Sequence, residues 1–253
     1  MTQQNQNDNR AAGALAGKSA IVTGGSRGIG YAICDALAAA GARVVVNYNK
    51  SAEPAEALAK RIGGLAFQAD IADAAQVRSM FAAAEQAFQG VDILVNNAGV
   101  ALFKRVADLE EEEYDRSFAI NARGAFLCCR EAARRMREGS RIISISTGAT
   151  VAGAPGGTAY CGSKAALEQL TRALARELAS RQITVNTVSP GFTDTEMFHS
   201  LPKHVIDSAA SITPLGRVGR PEDVSSVVTW LCTSDAAWIT GQNIQAGGGL
   251  SMV

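Results

Sequence analysis

The sequence predicts an α/β protein built on a doubly wound, parallel, seven-stranded sheet with helices on both faces. Two observations carry this expectation. From Lys18 onward, short apolar runs alternate with longer Ala-rich amphipathic stretches, the pattern of repeated βα units. A glycine-rich run, Thr23-Gly24-Gly25-Ser26-Arg27-Gly28-Ile29-Gly30, stands between the first apolar run and the first amphipathic stretch. Strand, glycine turn and helix in that order open a dinucleotide-binding βαβ unit.

The strand runs are SAIVTGG, ARVVVNY, GLAFQAD, VDILVNN, SRIISIS, QITVNTVS and QNIQAGG. Helices are predicted between them at about 28–40, 52–62, 73–88, 109–137, 160–180 and 221–233, each long enough to cross back to the next parallel strand. The alternation breaks once, at 191–218, where Phe192, Met197, Phe198, Leu201 and Ile206 mix with Thr, Ser and Pro. Lying beyond a strand's carboxyl end, this segment is predicted to be a lid over the substrate. Residues 1–14, rich in Gln and Asn, read as a flexible tail ahead of a single domain at 15–253.

Composition narrows the function. At 253 residues and 47% hydrophobic, the chain can bury a sizeable core. Lys and Arg number 24 against 24 Asp and Glu, so neither nucleic acid nor an anionic membrane is an expected partner. No apolar run approaches the roughly 18 residues a bilayer span needs, and the N-terminus has no signal pattern, so a cytoplasmic protein is expected. Cys34, Cys128, Cys129, Cys161 and Cys232 form no CxxC pair and lie away from His199 and His204 in sequence; reduced thiols without metal are expected. With so few imidazoles and no nucleophile elbow, a Ser/His/Asp hydrolase is disfavoured.

In the glycine run, the glycines permit a tight turn and close approach to a pyrophosphate, and the following helix offers unpaired N–H donors. That places Gly24, Ser26, Arg27, Gly28, Ile29 and Gly30 at a cofactor's phosphates. The second strand ends in Asn47-Tyr48-Asn49-Lys50-Ser51, with no acid to hold a ribose 2′-hydroxyl. Arg27 and Lys50 would pair instead with a 2′-phosphate, with Asn47, Tyr48 and Ser51 as neutral donors, which favours NADP(H) over NAD(H). Asp70-Ile71 and Asn96-Asn97-Ala98-Gly99 close the third and fourth strands, on the edge where ligands dock in open sheets.

Tyr160 and Lys164 are four residues apart on a predicted helix and share a face. A nearby ammonium favours the phenolate, so the pair is expected to bring the phenol's pKa down from about 10 toward working pH for acid/base chemistry.

Taken together, these residues resemble the short-chain dehydrogenase/reductase family in its single-domain, Rossmann-type branch. The resemblance runs from about Leu15 to Val253. It rests on the Thr23–Gly30 glycine motif, Asn96-Asn97-Ala98-Gly99, Asn121, Tyr160-x-x-x-Lys164 and Pro190-Gly191. Pro214-Leu215-Gly216-Arg217, Arg220-Pro221-Glu222-Asp223-Val224 and Ile239-Thr240-Gly241-Gln242 extend it. The resemblance implies that Tyr160 is the acid/base. Lys164 would hold the nicotinamide ribose and lower the tyrosine pKa, and Asn121 would keep a helix bend and a water for the proton relay. It further places Gly24, Arg27 and Ile29 at the phosphates, Asp70 and Ile71 at adenine, and Asn97, Ala98 and Gly99 where the cofactor is braced. Pro190, Gly191, Thr193 and Thr195 match the loop that orients the carboxamide.

Two positions depart from the family pattern. The serine expected thirteen residues before the tyrosine is Thr147, preceded by Ser146; a threonine hydroxyl makes the same bond but is stiffer at χ1. Thr147 is favoured over Ser146, which a shift of one residue would bring into the same place. Ala246-Gly247-Gly248-Gly249 lacks the acid or Asn that relatives often carry before the glycine pair.

The expected activity is NADP(H)-dependent transfer of hydride between cofactor and a small carbonyl or alcohol. The chain is similar to 3-oxoacyl carrier-protein reductases, which makes a 3-oxoacyl thioester the first substrate to expect and acyl carrier protein a candidate partner. Arg134, Arg135, Arg137 and Arg181 would form its docking patch or, equally, a solvated basic face. Small ketones, diols, sugars and steroids are the rival substrates, and a non-catalytic dinucleotide sensor is the rival class. A homotetramer is expected by analogy.

Overall fold

All seven expected strands form. The computed structural model describes residues 13–252. The strands are β1 (Ser19–Val22), β2 (Arg43–Tyr48), β3 (Leu65–Gln68), β4 (Ile93–Asn96), β5 (Arg141–Ile145), β6 (Thr184–Pro190) and β7 (Asn243–Ala246). They lie in one parallel sheet in the order β3-β2-β1-β4-β5-β6-β7. The crossovers are α1 (Gly28–Ala39), α2 (Ala52–Ile62), α3 (Ala74–Phe88), α4 (Glu111–Phe118), α5 (Ala125–Arg135), a short α6 (Ala149–Ala152), α7 (Thr158–Glu177), α8 (Glu196–His199), α9 (Lys203–Ile212) and α10 (Pro221–Cys232).

The alternation of side chains along each strand feeds two cores. Ala20, Val22, Val44 and Val46 pack with Ile33 and Leu37 of α1, Leu58 of α2, and Val224 and Val228 of α10. Ile21, Val45, Leu94 and Ile142 pack on the other face with Val77, Met80 and Phe81 of α3, Leu127 and Cys128 of α5, and Leu174 of α7. Each fully buried aliphatic side chain stabilises the fold by about 1.5–3 kcal/mol, so strands apolar on both faces are held from both sides. The order of winding reverses between β1 and β4, which opens a crevice at their carboxyl ends.

Three expectations are refined. The helix expected at 109–137 is two helices, α4 and α5, joined by a π turn at Ala119–Gly124. The buried polar Asn121 sits in that turn, and the wider turn lets its amide reach neighbouring backbone. The segment 191–218 contains helices α8 and α9. The tail expected at 1–14 lies outside the described residues except for Gly13 and Ala14. There, Gly13 O accepts from Ala16 N–H at 3.0 Å in a turn that delivers Leu15, 2% exposed, to the core.

Candidate functional site

The crevice is built from backbone and three polar side chains. Thr23 Oγ1 accepts from the N–H groups of Asn97 and Ala98, each at 3.0 Å. Asn97 Nδ2 donates to Thr23 O at 2.9 Å and Gly24 O at 3.0 Å. The loop after β4 therefore holds the glycine turn after β1. Gly30 must lack a side chain, because a Cβ there would collide with Gly24 O and Asn97 Nδ2. Gly28, with φ of +53°, starts α1, whose N-terminus has neither a side-chain cap nor an acid in its first turn. Its N–H donors are thus left facing the crevice beside the exposed Arg27. Ser26 is buried and Ile29 half-buried.

The end of β2 differs from expectation. Asn47 is 1% exposed, and its side chain is consumed by the fold. Nδ2 reaches the carbonyls of Tyr48, Phe67 and Ala69 at 3.1–3.3 Å, while Oδ1 accepts from Gly24 N–H at 3.2 Å. Tyr48 packs into the core. Neither side chain is a phosphate donor, because both turn inward. Asn49 and Lys50 are exposed and Ser51 is half-buried. At the end of β3, Asp70 Oδ1 accepts from Ala72 N–H at 2.9 Å. The Ile71 side chain belongs to the core, facing Gly124 of the π turn rather than the crevice.

Two predicted residues, Asn121 and Lys164, meet beside Gly99. A Cβ at Gly99 would stand 3.1 Å from Asn121 Oδ1 and 3.2 Å from Lys164 Nζ. Asn121 Oδ1 accepts from Val100 N–H at 2.8 Å, and its Nδ2 donates to Val100 O at 2.9 Å and to Ser163 Oγ at 3.0 Å. The Ser163 hydroxyl donates in turn to Tyr160 O at 2.8 Å, tying the π turn to α7. Tyr160 is buried against Phe103, ring centroids 5.5 Å apart.

Burial raises the Tyr160 pKa, and the nearby Thr147 hydroxyl opposes that shift. The expected depression by Lys164 does not occur in this arrangement. Lys164 Nζ donates to Ile145 O at 2.7 Å, and desolvation lowers the ammonium's own pKa to about 8. Ser146 is turned away from the phenol and donates to Glu168 Oε1 at 2.6 Å.

Pro190 ends β6 and accepts from Gly148 N–H at 2.9 Å. Beyond Gly191, the Thr193 hydroxyl donates to Gly191 O at 3.1 Å and the Thr195 hydroxyl donates to Thr193 O at 3.2 Å while capping α8. Ala101, Leu102 and Phe103 face Ser200, Leu201 and Pro202 across a cleft of about 380 Å³. The sequence gives no warning that the Thr23 hydroxyl holds the Asn97 loop, that Phe103 packs on Tyr160, or that the Glu196 carboxylate pairs with Arg27. Their partners lie far away in the chain, where no local spacing reports them.

The four arginines suggested as a docking patch are engaged within the chain. Arg134 and Arg135 pair with the buried Glu131, and Arg135 also with Glu85. Arg181 donates to Ala133 O and Met136 O, and Arg137 to Gln89 O. All five cysteines are free. Burial pushes Cys129 and Cys232 up to about 12 and raises Cys161 also, so none is a ready nucleophile. Among the described residues, no group of three or more His, Cys, Asp or Glu is placed to hold a metal ion, and no helix is long and apolar enough to cross a membrane.

A doubly wound sheet with a glycine turn at its switch point and a tyrosine–lysine pair beside it defines an oxidoreductase of the dinucleotide-dependent class. A family model described as enoyl-(acyl carrier protein) reductase matches residues 24–251. An uncharacterized oxidoreductase of Methylorubrum extorquens is 44% identical, over 93% of this chain and 98% of the relative. An NADPH-dependent aldehyde reductase-like chloroplastic protein of Arabidopsis thaliana is 42% identical, over 93% of this chain and 94% of that one. The crystal structure of a Burkholderia cenocepacia short chain dehydrogenase in complex with NADP superposes with a TM-score of 0.90 at 40% identity, covering 94% of this chain and 99% of the other. The chain belongs to the short-chain dehydrogenase/reductase family.

Proposed function

We propose that the protein is an NADP(H)-dependent carbonyl reductase that runs in reverse as an alcohol dehydrogenase. The observation that carries this reading is the meeting of Asn121 and Lys164 beside Gly99, with Tyr160 one turn before Lys164 on α7 and joined to Asn121 through Ser163. The residues present fit the cofactor. The uncapped N-terminus of α1 offers N–H donors to the pyrophosphate, and Arg27 with Lys50 supplies positive charge for the 2′-phosphate. Asn97, Ala98 and Gly99 brace the same wall.

When bound, the nicotinamide gives or takes the hydride. Tyr160 donates its proton to the carbonyl oxygen as reduction proceeds. A phenol whose pKa is raised by burial is protonated at neutral pH, the form that reduction needs. Thr147 holds the same oxygen through its hydroxyl, in the place serine takes in the family. Lys164 has used one of three ammonium hydrogens on Ile145 O, which leaves donors for the ribose hydroxyls. Asn121 has both amide hydrogens committed, so its side chain fixes the π turn that borders the proton path.

The substrate enters between Phe103 and Leu201, with the 191–218 segment as its lid. A small carbonyl compound suits this cleft. A 3-oxoacyl thioester remains within reach of the chemistry, although the arginines that would greet an acidic carrier protein are already paired. We place the enzyme in the cytosol, which its free thiols suit, and read it as a homotetramer by family analogy.

Turnover of acetoacetyl-CoA against a panel of ketones separates the substrate readings; inactivity on every thioester ends the fatty-acid one. The chemistry is tested by Tyr160→Phe, which should bind NADPH and no longer oxidise it. Unchanged activity would remove Tyr160 from its assigned role, and a wild-type protein that binds NADPH but reduces nothing would favour a sensor.

A further inference from the structure

We infer that Glu168 is a positioning residue that sets the Thr147 hydroxyl against Tyr160. The inference rests on the proposed roles of Thr147 and Tyr160. Glu168 lies on α7 one turn beyond Lys164 and is 8% exposed. Its Oε1 accepts from Ser146 Oγ at 2.6 Å and from Thr150 Oγ1 at 2.7 Å. These hydroxyls stand one residue before and three residues after Thr147, and Thr150 Oγ1 also lies 2.9 Å from Thr147 O, so one carboxylate oxygen holds the turn on both sides of the residue proposed to meet the substrate oxygen.

The backbone around Thr147 is fixed from the opposite side. Ser146 N–H donates to Val188 O at 2.8 Å and Gly148 N–H to Pro190 O at 2.9 Å. The Thr147 hydroxyl accepts from Ala149 N–H at 3.2 Å. β6 therefore sets the height of the loop above the sheet, and Glu168 sets its rotation.

Stability does not account for this carboxylate. A buried charge is costly unless paired with a cation, and an apolar residue of similar size commonly serves stability better. Among the described residues, the side-chain partners of Glu168 are these two hydroxyls. What the arrangement gains is direction: the two hydrogen bonds, at 2.6 and 2.7 Å, are short, and they lead to Ser146 and Thr150 on either side of Thr147. A hydroxyl that must sit against a reacting oxygen tolerates little misplacement.

The test uses Glu168→Gln and Glu168→Leu, each alone and with Thr147→Ala, and measures kcat, KM, NADPH affinity by fluorescence titration, and melting temperature. Glu168→Leu should lower kcat by about tenfold or more while KM and NADPH affinity move by less than about threefold. Glu168→Gln keeps a carbonyl oxygen for both hydroxyls and should recover kcat to within about threefold of wild type. In the Thr147→Ala background, Glu168→Leu should add less than about twofold, because its effect passes through the missing hydroxyl.

Independent losses in the double variant, a Gln variant no better than Leu, or a kcat unchanged in Leu would overturn the inference. Should Glu168→Leu fail to fold, the triple variant Ser146→Ala, Thr150→Val, Glu168→Leu removes donors and acceptor together, which is nearly neutral for stability, and is held to the same outcomes. If Tyr160→Phe and Thr147→Ala leave turnover intact, the functional reading itself fails. If they abolish turnover and Glu168→Leu does not, only the inference about Glu168 fails.

Discussion

Arg27 Nη1 lies 2.5 Å from Glu196 Oε2, an ion pair that joins the glycine turn to α8. Both side chains are about two-thirds exposed or more, so the pair is weak and exchangeable. A 2′-phosphate carries more charge than a carboxylate and should displace Glu196 from Arg27. Glu196→Gln is therefore expected to tighten NADPH binding by about twofold to threefold and to leave NADH unchanged. Arg27→Glu should weaken NADPH by about tenfold or more and NADH far less. Fluorescence titration with both cofactors decides, and equal losses would remove Arg27 from the 2′-phosphate.

In the proposed mechanism, Thr147 supplies a hydroxyl in the place where the family usually has serine. Thr147→Ser should keep kcat within about threefold of wild type, and Thr147→Val, nearly isosteric but without the hydroxyl, should lose about a hundredfold. Steady-state kinetics with melting curves checks this. A Val variant as active as Ser would show that the phenol works alone.

Lys164 couples activity to stability through pH. Its folded pKa, about 8, is depressed from the ordinary 10.5. Below about pH 8 both states are charged and the folded state bears the cost of a buried ammonium, roughly 3 kcal/mol. Between these values the unfolded chain holds more protons, so stability rises with pH and the cost is gone above the unfolded pKa. Lys164→Met should be inactive yet more stable at neutral pH, by up to about 3 kcal/mol, with the gain shrinking above about pH 8. Urea denaturation across this range measures it; a gain that does not vary with pH would refute the burial argument.

Asn47→Asp tests whether an acid at the end of β2 would redirect the cofactor. Because Nδ2 faces three carbonyls while Oδ1 accepts from Gly24 N–H, a carboxylate there keeps the Gly24 bond but turns its second oxygen toward three acceptors. The variant is expected to lose about 2–3 kcal/mol of stability without gaining preference for NADH. A stable protein that prefers NADH would show that this residue does reach the ribose.

That misplacement marks the limit of what the chain's order of residues reveals. Strands such as Arg43–Tyr48 and helices such as Ala52–Ile62 are legible because apolar runs and amphipathic stretches have different periods. The glycine turn is legible because its function demands residues without side chains. Whether Asn47 faces the crevice or the sheet depends on the strand's phase and on the carbonyls of Phe67 and Ala69, 20 and 22 residues away, which composition does not encode. In the same way, four-residue spacing brings Lys164 onto the face of Tyr160, but the carbonyl that captures its ammonium comes from β5. Periodicity does not show the π turn, because widening a helix by one residue leaves the surrounding hydrophobic pattern almost unchanged; the bend at Asn121 is expected only from the family resemblance.

That single extra residue works as a clutch between α4 and α5. Each helical residue turns the chain by about 100°, so the insertion resets the angle at which everything after Gly124 meets the sheet. Deleting Ala122 would restore a continuous cylinder and swing Leu127 and Cys128 out of their core by that angle. Hybrid proteins that exchange this stretch with a relative must therefore match its length before they match its side chains.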